Sequence, residues 1–288
     1  MERNMNMTHI FHAIDDANIV PMFYDKTGIK LNYLISYDKI KRQSWKLTDG
    51  YRNMLNHLYL DSGAYSSSTG KCVMTISEYL HYLKRFGSKY DACFNLDDHF
   101  NDPDHNLQHQ LYLEKGLTGT SVRPVPVIHD KVDPLGEFEL YAGMGHDYIA
   151  IGSSASRACK DELLTQAKEK YPAVKIHLFG DLDQALMEKH RPYSADSAAW
   201  AHEAARGVIL YWRSSEKKSY RFNVGERDFM AKHSRHIKLS PLWDEIGAFL
   251  RDSFGYEYRH LLDYKGRRIL ILYFYKQYEN YLNSLEAV

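Results

Sequence analysis

The sequence predicts an α/β protein built around a (β/α)8 barrel, the TIM barrel, and three observations lead to this prediction. Short apolar segments alternate with helical segments along most of the chain, the order that parallel βα units produce. Eight such segments lie between residues 32 and 212, and eight units most simply close into a barrel. The 288 residues also suffice for one large α/β barrel or two ordinary domains. A doubly wound open sheet is the alternative, although no glycine-rich phosphate fingerprint supports it.

Each predicted strand is a short apolar run that ends in turn-forming residues. The eight strands are predicted at residues 32–36, 58–60, 91–96, 124–128, 148–151, 174–179, 193–195 and 208–211. Two helix starts are predicted at Asp102-Pro103 and Asp133-Pro134, where an N-cap aspartate precedes a proline at the first helical position. Ser197 is predicted to cap a short alanine-rich helix that ends at Gly207.

This pattern divides the chain into three expected regions. Residues 1–31 contain two short apolar runs and are interpreted as an N-terminal extension, such as a hairpin. Residues 32–212 form the predicted barrel. Residues 213–288 are helical and aromatic, with 14 Lys and Arg against 10 Asp and Glu. Two interpretations of this last region stay open, a solvated helical appendage packed on the barrel and a surface that contacts nucleic acid.

Bulk composition excludes several classes of protein. The formal net charge is zero, so the chain lacks the overall positive charge typical of many nucleic-acid-binding proteins. A zero net charge still allows a local basic surface. Cys72, Cys93 and Cys159 form no Cys-x-x-Cys pair, which argues against a cysteine-rich zinc site and suits a reducing cytoplasm. The N-terminus lacks the apolar core of a signal peptide, and the longest apolar run, 269–275, is too short to span a bilayer. We therefore expect a cytoplasmic protein without membrane contact.

The residues at the carboxyl ends of the predicted strands suggest an active site, because barrel enzymes carry their sites there. Acids end three strands, glycines follow two others and a histidine ends one more. These residues are Asp61, Asp97, Asp98, His129, Gly152, Gly180 and Asp196. Carboxylates gathered in one pocket repel one another unless a substrate, a metal or a proton compensates. The clustering therefore favours a functional rim, whereas Asp61-Ser62-Gly63 taken alone favours an Asx turn that closes a strand.

Individual rim residues suggest particular chemistry. Asp196 precedes the predicted cap Ser197, so the positive end of the next helix is expected to favour its ionised form. An ionised carboxylate at an anomeric carbon is the nucleophile of retaining glycoside chemistry. Gly152 allows a planar ligand to approach the backbone closely. His129 and His177 fit either a structural hydrogen-bonding role or a catalytic one. No metal is expected, because the first predicted strand lacks a His-x-His pair.

Five short motifs in order resemble the tRNA-guanine transglycosylase superfamily over residues 32–212. They are Asp61-Ser-Gly-Ala-Tyr, Phe94-Asn-Leu-Asp97, Tyr148-Ile-Ala-Ile-Gly-Ser, His177-Leu-Phe-Gly180 and Tyr193-Ser-Ala-Asp196-Ser-Ala-Ala-Trp200. The resemblance implies an enzyme that exchanges guanine for a 7-deazaguanine base and needs no cofactor. It implies that Asp196 attacks C1′ and forms a covalent glycosyl-enzyme intermediate, and that Asp61 is the general acid and base.

The resemblance also implies a substrate-binding set. Asp97 would accept hydrogen bonds from the base edge, and the backbone near Gly152 would recognise the base carbonyl. The full set is Ser62, Gly63, Asp97, His129, Gly152, Ser153, His177, Gly180 and Trp200. The target base must leave its stack to reach such a site.

Two departures from the tRNA enzymes affect the expected substrate. Their Cys-x-Cys-x-x-Cys…His zinc site is absent from this sequence, and Asp196-Ser-x-x-Trp200 is more similar to the zinc-less phage and bacterial relatives that modify DNA. DNA is therefore preferred slightly over tRNA, in a bacterial or phage-infected cell. The basic segment with Arg213, Lys217, Lys218 and Arg221 would contact the backbone. An N-glycosyl hydrolase and a non-catalytic nucleic-acid-binding relative remain alternatives.

Overall fold

The computed structural model describes residues 7–40, 45–70, 74–152 and 156–285. Within these ranges the chain forms two compact units. The first unit comprises the described parts of Met1–Ala17 and Leu31–Ser197, and the second comprises Asn18–Lys30 and the described part of Ala198–Val288. The chain therefore leaves the first unit after one strand and returns to it.

The first unit is built on eight parallel strands. They are β1 (His9–Ile14), β2 (Leu31–Ser36), β3 (Leu55–Asp61), β4 (Ala92–Cys93), β5 (Val127–Ile128), β6 (Tyr148–Ile151), β7 (Lys175–Leu178) and β8 (Ser194–Ser197). Their order in the sheet is β4-β3-β2-β1-β8-β7-β6-β5. Each neighbouring pair is parallel, as in the pairing of Phe11 with Asn32 on one side and with Asp196 on the other.

A further parallel bridge joins the two ends of this sheet. Phe94, just after β4, pairs with Val125, just before β5. The amide of Asn95 donates to the Val125 carbonyl at 2.9 Å, and the Val125 amide donates to the Cys93 carbonyl at 2.8 Å. The strands therefore curl into a TIM-barrel-like fold, and the predicted α/β barrel class is confirmed.

Thirteen α-helices lie within the described residues. They are α1 (Ile19–Thr27), α2 (Tyr37–Ile40), α3 (Ala64–Ser68), α4 (Ile76–Phe86), α5 (Pro103–Gly116), α6 (Pro134–Gly143), α7 (Arg157–Lys170), α8 (Gln184–His190), α9 (Ala199–Ala205), α10 (Glu226–Met230), α11 (Trp243–Phe254), α12 (Tyr258–Leu262) and α13 (Tyr264–Ser284). The two proline-marked starts are confirmed. The Asp102 side chain accepts from the His105 amide at the start of α5, and the Asp133 side chain accepts from the Gly136 amide at the start of α6.

The interior of the barrel is filled by side chains from alternate strand positions, as the two-residue repeat of a strand requires. The buried cluster contains Phe11, Leu34, Tyr59, Phe94, Val125, Val127 and Ala150. The rings of Phe11 and Tyr59 stack with centroids 3.8 Å apart. The same alternation carries Asp61, two residues beyond Tyr59, and Asp196, two residues beyond Ser194, to the carboxyl end of the barrel.

Three sequence predictions need correction. The first barrel strand is β1, so residues 9–14 are not an extension, and residues 208–211 are not the eighth strand of the barrel. They belong to β9 (Val208–Arg213), which pairs antiparallel with β10 (Lys218–Asn223) in a separate hairpin. Ser197 lies in β8, and the N-cap position of α9 is Ala198, which makes no side-chain capping bond. The capping argument for an ionised Asp196 therefore fails.

The second unit combines the β9–β10 hairpin with helices. Its longest element is α13, of 21 residues, with a mostly buried apolar stretch from Ile269 to Leu272. The buried Arg267 organises one end of this helix, since its guanidinium donates to the carbonyl oxygens of Ala204, Leu261 and Leu262 at 2.6–2.8 Å. No helix within the described ranges is long and apolar enough to cross a membrane.

Candidate active site

Asp61 ends β3 and is half-buried at the carboxyl rim of the barrel. The chain turns sharply after it, because Gly63 has φ of +88°, a left-handed conformation that favours glycine. Burial and, to a smaller extent, the negative charges of Asp97 and Asp196 together raise the pKa of the Asp61 carboxyl to about 7. The Gly63 amide opposes this shift by donating to the carboxylate. Asp61 therefore holds and releases a proton near neutral pH.

Asp97 forms a buried pair with His129. The Nε2 atom of His129 lies 2.5 Å from Oδ2 of Asp97, and both side chains are less than a tenth exposed. The hydroxyl of Ser62 donates to the other carboxylate oxygen of Asp97 at 3.4 Å. Ser62 itself is fully buried, so its hydroxyl group helps to hold the Asp97 carboxylate in place. The Asp97 carboxylate is thus fixed in orientation by partners from two neighbouring loops.

Glu137 holds the turn that carries His129. Its Oε2 atom accepts from the backbone amides of both His129 and Asp130 at 2.8 Å. Glu137 lies on α6 and is buried, and burial raises the pKa of its carboxyl although both amides oppose the shift. The sequence prediction missed this residue, because an interior helix position eight residues beyond His129 carries no local signal for such a contact.

Gly152 lies directly against the His129 ring. A Cβ atom at residue 152 would stand 2.1 Å from Cε1 and 2.3 Å from Nδ1 of His129. Glycine is therefore required here to make room for the protein's own imidazole, which differs from the close ligand approach predicted from the sequence.

We expect Gly152→Ala to lower the free energy of unfolding by about 1–3 kcal/mol, because the added methyl group overlaps His129. Gly143→Ala at the end of α6 is the matched control, since a Cβ there meets nothing within 4 Å. Urea denaturation of both variants measures the difference. Equal stability of the two variants would show that the ring moves away without cost.

Asp196 lies in β8 with only 5% of its surface exposed. Its Oδ1 atom accepts from the Gly180 amide at 2.9 Å and lies 3.3 Å from Nε2 of His177. Gly180 has φ of +62°, so the turn that aims its amide at Asp196 favours glycine. These contacts fix the carboxylate at the rim of the barrel.

His177 is oriented by a chain of buried hydroxyl groups. Its Nδ1 atom lies 2.7 Å from Oγ of Ser194, which lies 2.6 Å from the Tyr148 hydroxyl. Tyr148 donates in turn to the Tyr59 hydroxyl at 3.2 Å. His177 has no exposed surface, so this geometry favours the structural hydrogen-bonding interpretation over direct substrate contact.

Two other predicted residues are not among these rim residues of the first unit. Trp200 belongs to the second unit, where it is 1% exposed and faces the Arg268 guanidinium at 5.2 Å, so its ring offers no surface for a substrate. Ser153 lies outside the described residues. The structure therefore brings together at one barrel rim Asp61, Ser62, Gly63, Asp97, His129, Gly152, His177, Gly180 and Asp196.

The predicted backbone-contact residues lie on the β9–β10 hairpin rather than on an open loop. Glu245 accepts from Arg213 at 2.8 and 3.1 Å, and Glu203 accepts from Arg221 at 2.9 Å. Both guanidinium groups are thus largely neutralised by carboxylates of their own unit. Lys217 occupies the turn with φ of +51°, and the Lys218 ammonium lies 5.2 Å from the centre of the Tyr220 ring.

A second polar cluster lies beside Asp97 and was not predicted. Asp98, His105 and His109 bring one potential ligand atom each within 4.8 Å of one another. The i,i+4 spacing of the two histidines on the helix predicted from Asp102 is the sequence signal that would have indicated it.

Comparisons with known proteins assign no family to this chain. Neither protein-family models nor curated proteins give a match to this sequence. Among solved structures, fructose-bisphosphate aldolase from Campylobacter jejuni has a TM-score of 0.49 at 12% identity, over 97% of this chain and 91% of that chain. Orotidine 5′-monophosphate decarboxylase from Metallosphaera sedula has a TM-score of 0.41 at 7% identity, over 66% of this chain and 87% of that chain. This distant likeness concerns the fold alone.

Proposed function

We propose that this protein is a nucleic-acid guanine transglycosylase that exchanges guanine for a 7-deazaguanine base. The observation that carries the proposal is the convergence of Asp61, Asp97 and Asp196 at one rim, with the Asp61 pKa near 7. Base exchange needs one group that donates and accepts a proton and another that attacks the sugar. A carboxyl group that titrates near neutral pH beside two other carboxyl groups fits this requirement. The motif resemblance to the tRNA-guanine transglycosylase superfamily supplies the substrate class.

Asp196 is the proposed nucleophile. Its carboxylate oxygen attacks C1′ of the target nucleotide, the C1′–N9 bond breaks, and the electron pair of that bond leaves with the guanine. The Gly180 amide donates to Oδ1 of Asp196 and so fixes the orientation of the carboxylate. A covalent glycosyl ester then holds the sugar until the new base attacks C1′ and the carboxylate departs.

Asp61 is the proposed proton-transfer group. In its protonated form it donates a proton to the departing guanine, and the resulting carboxylate then takes the N9 proton of the incoming 7-deazaguanine. A carboxyl whose pKa is raised to about 7 serves both steps at physiological pH. The catalytic cycle returns Asp61 to its protonated state.

Asp97 is the proposed base-recognition residue. Guanine and 7-deazaguanine present adjacent N–H donors on their Watson–Crick edge, and a fixed carboxylate accepts from such donors. The His129 and Ser62 contacts hold Asp97 in one orientation before the base arrives. Preorganisation of this kind lowers the cost of binding.

DNA is the slightly preferred polymer over tRNA. The sequence lacks the cysteine-rich zinc pattern of the tRNA enzymes and carries Asp196-Ser-x-x-Trp200, as the zinc-less DNA-modifying relatives do. In either polymer the target nucleotide must be unstacked before Asp196 reaches C1′, since C1′ of a stacked nucleotide is shielded.

Incubation of the protein with DNA or with tRNA, with and without a free 7-deazaguanine base, tests this function. Nucleoside mass spectrometry is expected to detect the modified deoxyguanosine in DNA only when the free base is added. Abasic sites without incorporation would favour an N-glycosyl hydrolase on the same barrel. Modification confined to tRNA would overturn the preference for DNA.

The hairpin lysines are proposed to contact the phosphate backbone. We expect Lys217→Ala combined with Lys218→Ala to weaken nucleic-acid binding uniformly across sequences. The slope of log affinity against log salt should fall by about 2, because each lysine that neutralises a phosphate contributes about one unit to that slope. Fluorescence anisotropy at several salt concentrations measures the slope, with Lys84→Ala combined with Lys115→Ala on the barrel helices as the charge-matched control. An unchanged slope in the hairpin variant would place the phosphate-binding residues elsewhere.

A further inference from the structure

A histidine-rich cluster lies where the loop after β4 meets the first turns of α5. His105 and His109 are four residues apart on α5, so their side chains share one face of the helix. Asp98 follows Asp97 directly in the chain, and its side chain lies with these two histidines. We propose that Asp98, His105 and His109 bind a divalent transition-metal ion of the Zn²⁺ type, in a site separate from the proposed base-exchange chemistry.

The distances fit one ion with small adjustments. One ligand atom from each of the three side chains lies within 4.8 Å of the others. Ligand atoms around one tetrahedral Zn²⁺ lie about 3–4 Å apart, given metal–ligand bonds of about 2.0–2.2 Å. All three residues are only partly buried, which leaves their side chains room to rotate toward one ion. The rings of His105 and His109 are already in contact, with centroids 4.3 Å apart.

Two outer contacts hold the ligands in place. The carbonyl oxygen of Leu96 lies 2.8 Å from Nδ1 of His109, a contact that orients the ring. The Ser67 hydroxyl donates to Oδ2 of Asp98 at 3.2 Å. Metal-binding imidazoles and carboxylates commonly have outer partners of these kinds.

His99 offers a fourth ligand. Its Nδ1 atom lies 3.1 Å from Oδ1 of Asp98, and its ring centroid lies 3.7 Å from that of His105. The His99 side chain is 49% exposed, so it has room to turn toward an ion, and water serves in its place when it does not. Two or three imidazoles with one carboxylate suit Zn²⁺, Co²⁺ or Ni²⁺, whereas Mg²⁺ and Ca²⁺ require oxygen ligands.

A bound ion would stabilise the loops beside the carboxyl rim of the barrel. Asp98 is adjacent to Asp97, and Ser67 lies on α3, just after the Asp61-Ser62-Gly63 turn. An ion held by Asp98 and by two residues of α5 therefore fixes the segment that carries Asp97. Metal binding should raise the melting temperature, because the ion binds the folded chain and only weakly the unfolded one. The sequence prediction of no metal considered Cys-x-x-Cys pairs and a His-x-His pair on the first predicted strand, but not the two histidines on α5.

The test uses the full-length chain, without an affinity tag, after dialysis against a chelator. We expect titration with Co²⁺ to give a visible ligand-field absorption that saturates at one ion per chain, and Zn²⁺ to displace it. His105→Gln should weaken Co²⁺ binding at least about tenfold and remove the Co²⁺-dependent rise in melting temperature. His81→Gln on α4 is the matched control, because His81 is a helical histidine outside the cluster, and it should bind as the original chain does.

Each outcome decides the proposal without any measurement of base exchange. Unchanged Co²⁺ affinity in His105→Gln, or an equal loss in His81→Gln, would overturn the site. Saturation by Mg²⁺ with the affinity of Co²⁺ would overturn the assignment to a transition metal. Asp98→Asn keeps the size of the side chain and gives a second variant, in which weakened Co²⁺ binding with an unchanged metal-free melting temperature supports the proposal.

Discussion

Asp196→Asn is expected to abolish guanine exchange, with a loss in rate of at least about 10³-fold. The amide keeps the shape of the side chain and still accepts from the Gly180 amide, but its oxygen is a far weaker nucleophile. Removal of a covalent nucleophile from an enzyme costs several orders of magnitude in kcat. Exchange of isotopically labelled guanine into the polymer measures the rate.

Asp147→Asn is the control for this experiment, since Asp147 is exposed at the opposite, amino end of β6. We expect the control to exchange guanine at the original rate. If Asp196→Asn retained more than a tenth of that rate, the covalent step would have to be assigned to another residue.

Asp61→Asn is expected to stabilise the protein at pH 8 and to leave its stability nearly unchanged at pH 4. The Asp61 carboxyl has a pKa of about 7 in the folded chain and about 3.9 when unfolded. The folded state therefore binds this proton more tightly, so the free energy of unfolding falls as pH rises from about 4 to about 7. At about 1.4 kcal/mol per pKa unit, the cost above pH 7 amounts to about 4 kcal/mol at most. A neutral amide removes that cost.

Urea denaturation at a series of pH values measures this effect, with Asp147→Asn again as the control. The stability difference between Asp61→Asn and the original chain should grow between pH 4 and pH 7 and then level off. Parallel pH profiles for the two proteins would mean that Asp61 is ionised at neutral pH. The same variant should lose about 10²–10⁴-fold in exchange rate, the usual contribution of a general acid or base.

The rim residues were predictable because a barrel places all strand ends at one edge. Asp61, Asp97, His129 and Asp196 each follow a short apolar run, so their approximate place follows from the alternation of strands and helices. Their contacts were not predictable. The support of His129 by Glu137, for example, depends on how α6 packs against the turn after β5.

The strand at residues 9–14 was missed and the last barrel strand was misplaced, both for a physical reason. A short apolar run indicates a strand but not its partner, so residues 208–211 looked like an eighth barrel strand. In the structure Val208–Arg213 finds its partner in the adjacent β10. The run at residues 9–14 looked like an extension because α1, which follows it, belongs to the second unit. Its pairing with both β2 and β8 makes it a central strand.

Isolation of the covalent intermediate tests most directly whether Asp196 carries base exchange. The protein is incubated with guanine-containing DNA without an incoming base, denatured, digested and analysed by peptide mass spectrometry. We expect a deoxyribose-linked fragment on the peptide that contains Asp196, and release of the adduct when a 7-deazaguanine base is added before denaturation. An adduct on a different residue, or turnover to abasic DNA without any adduct, would contradict the proposed mechanism.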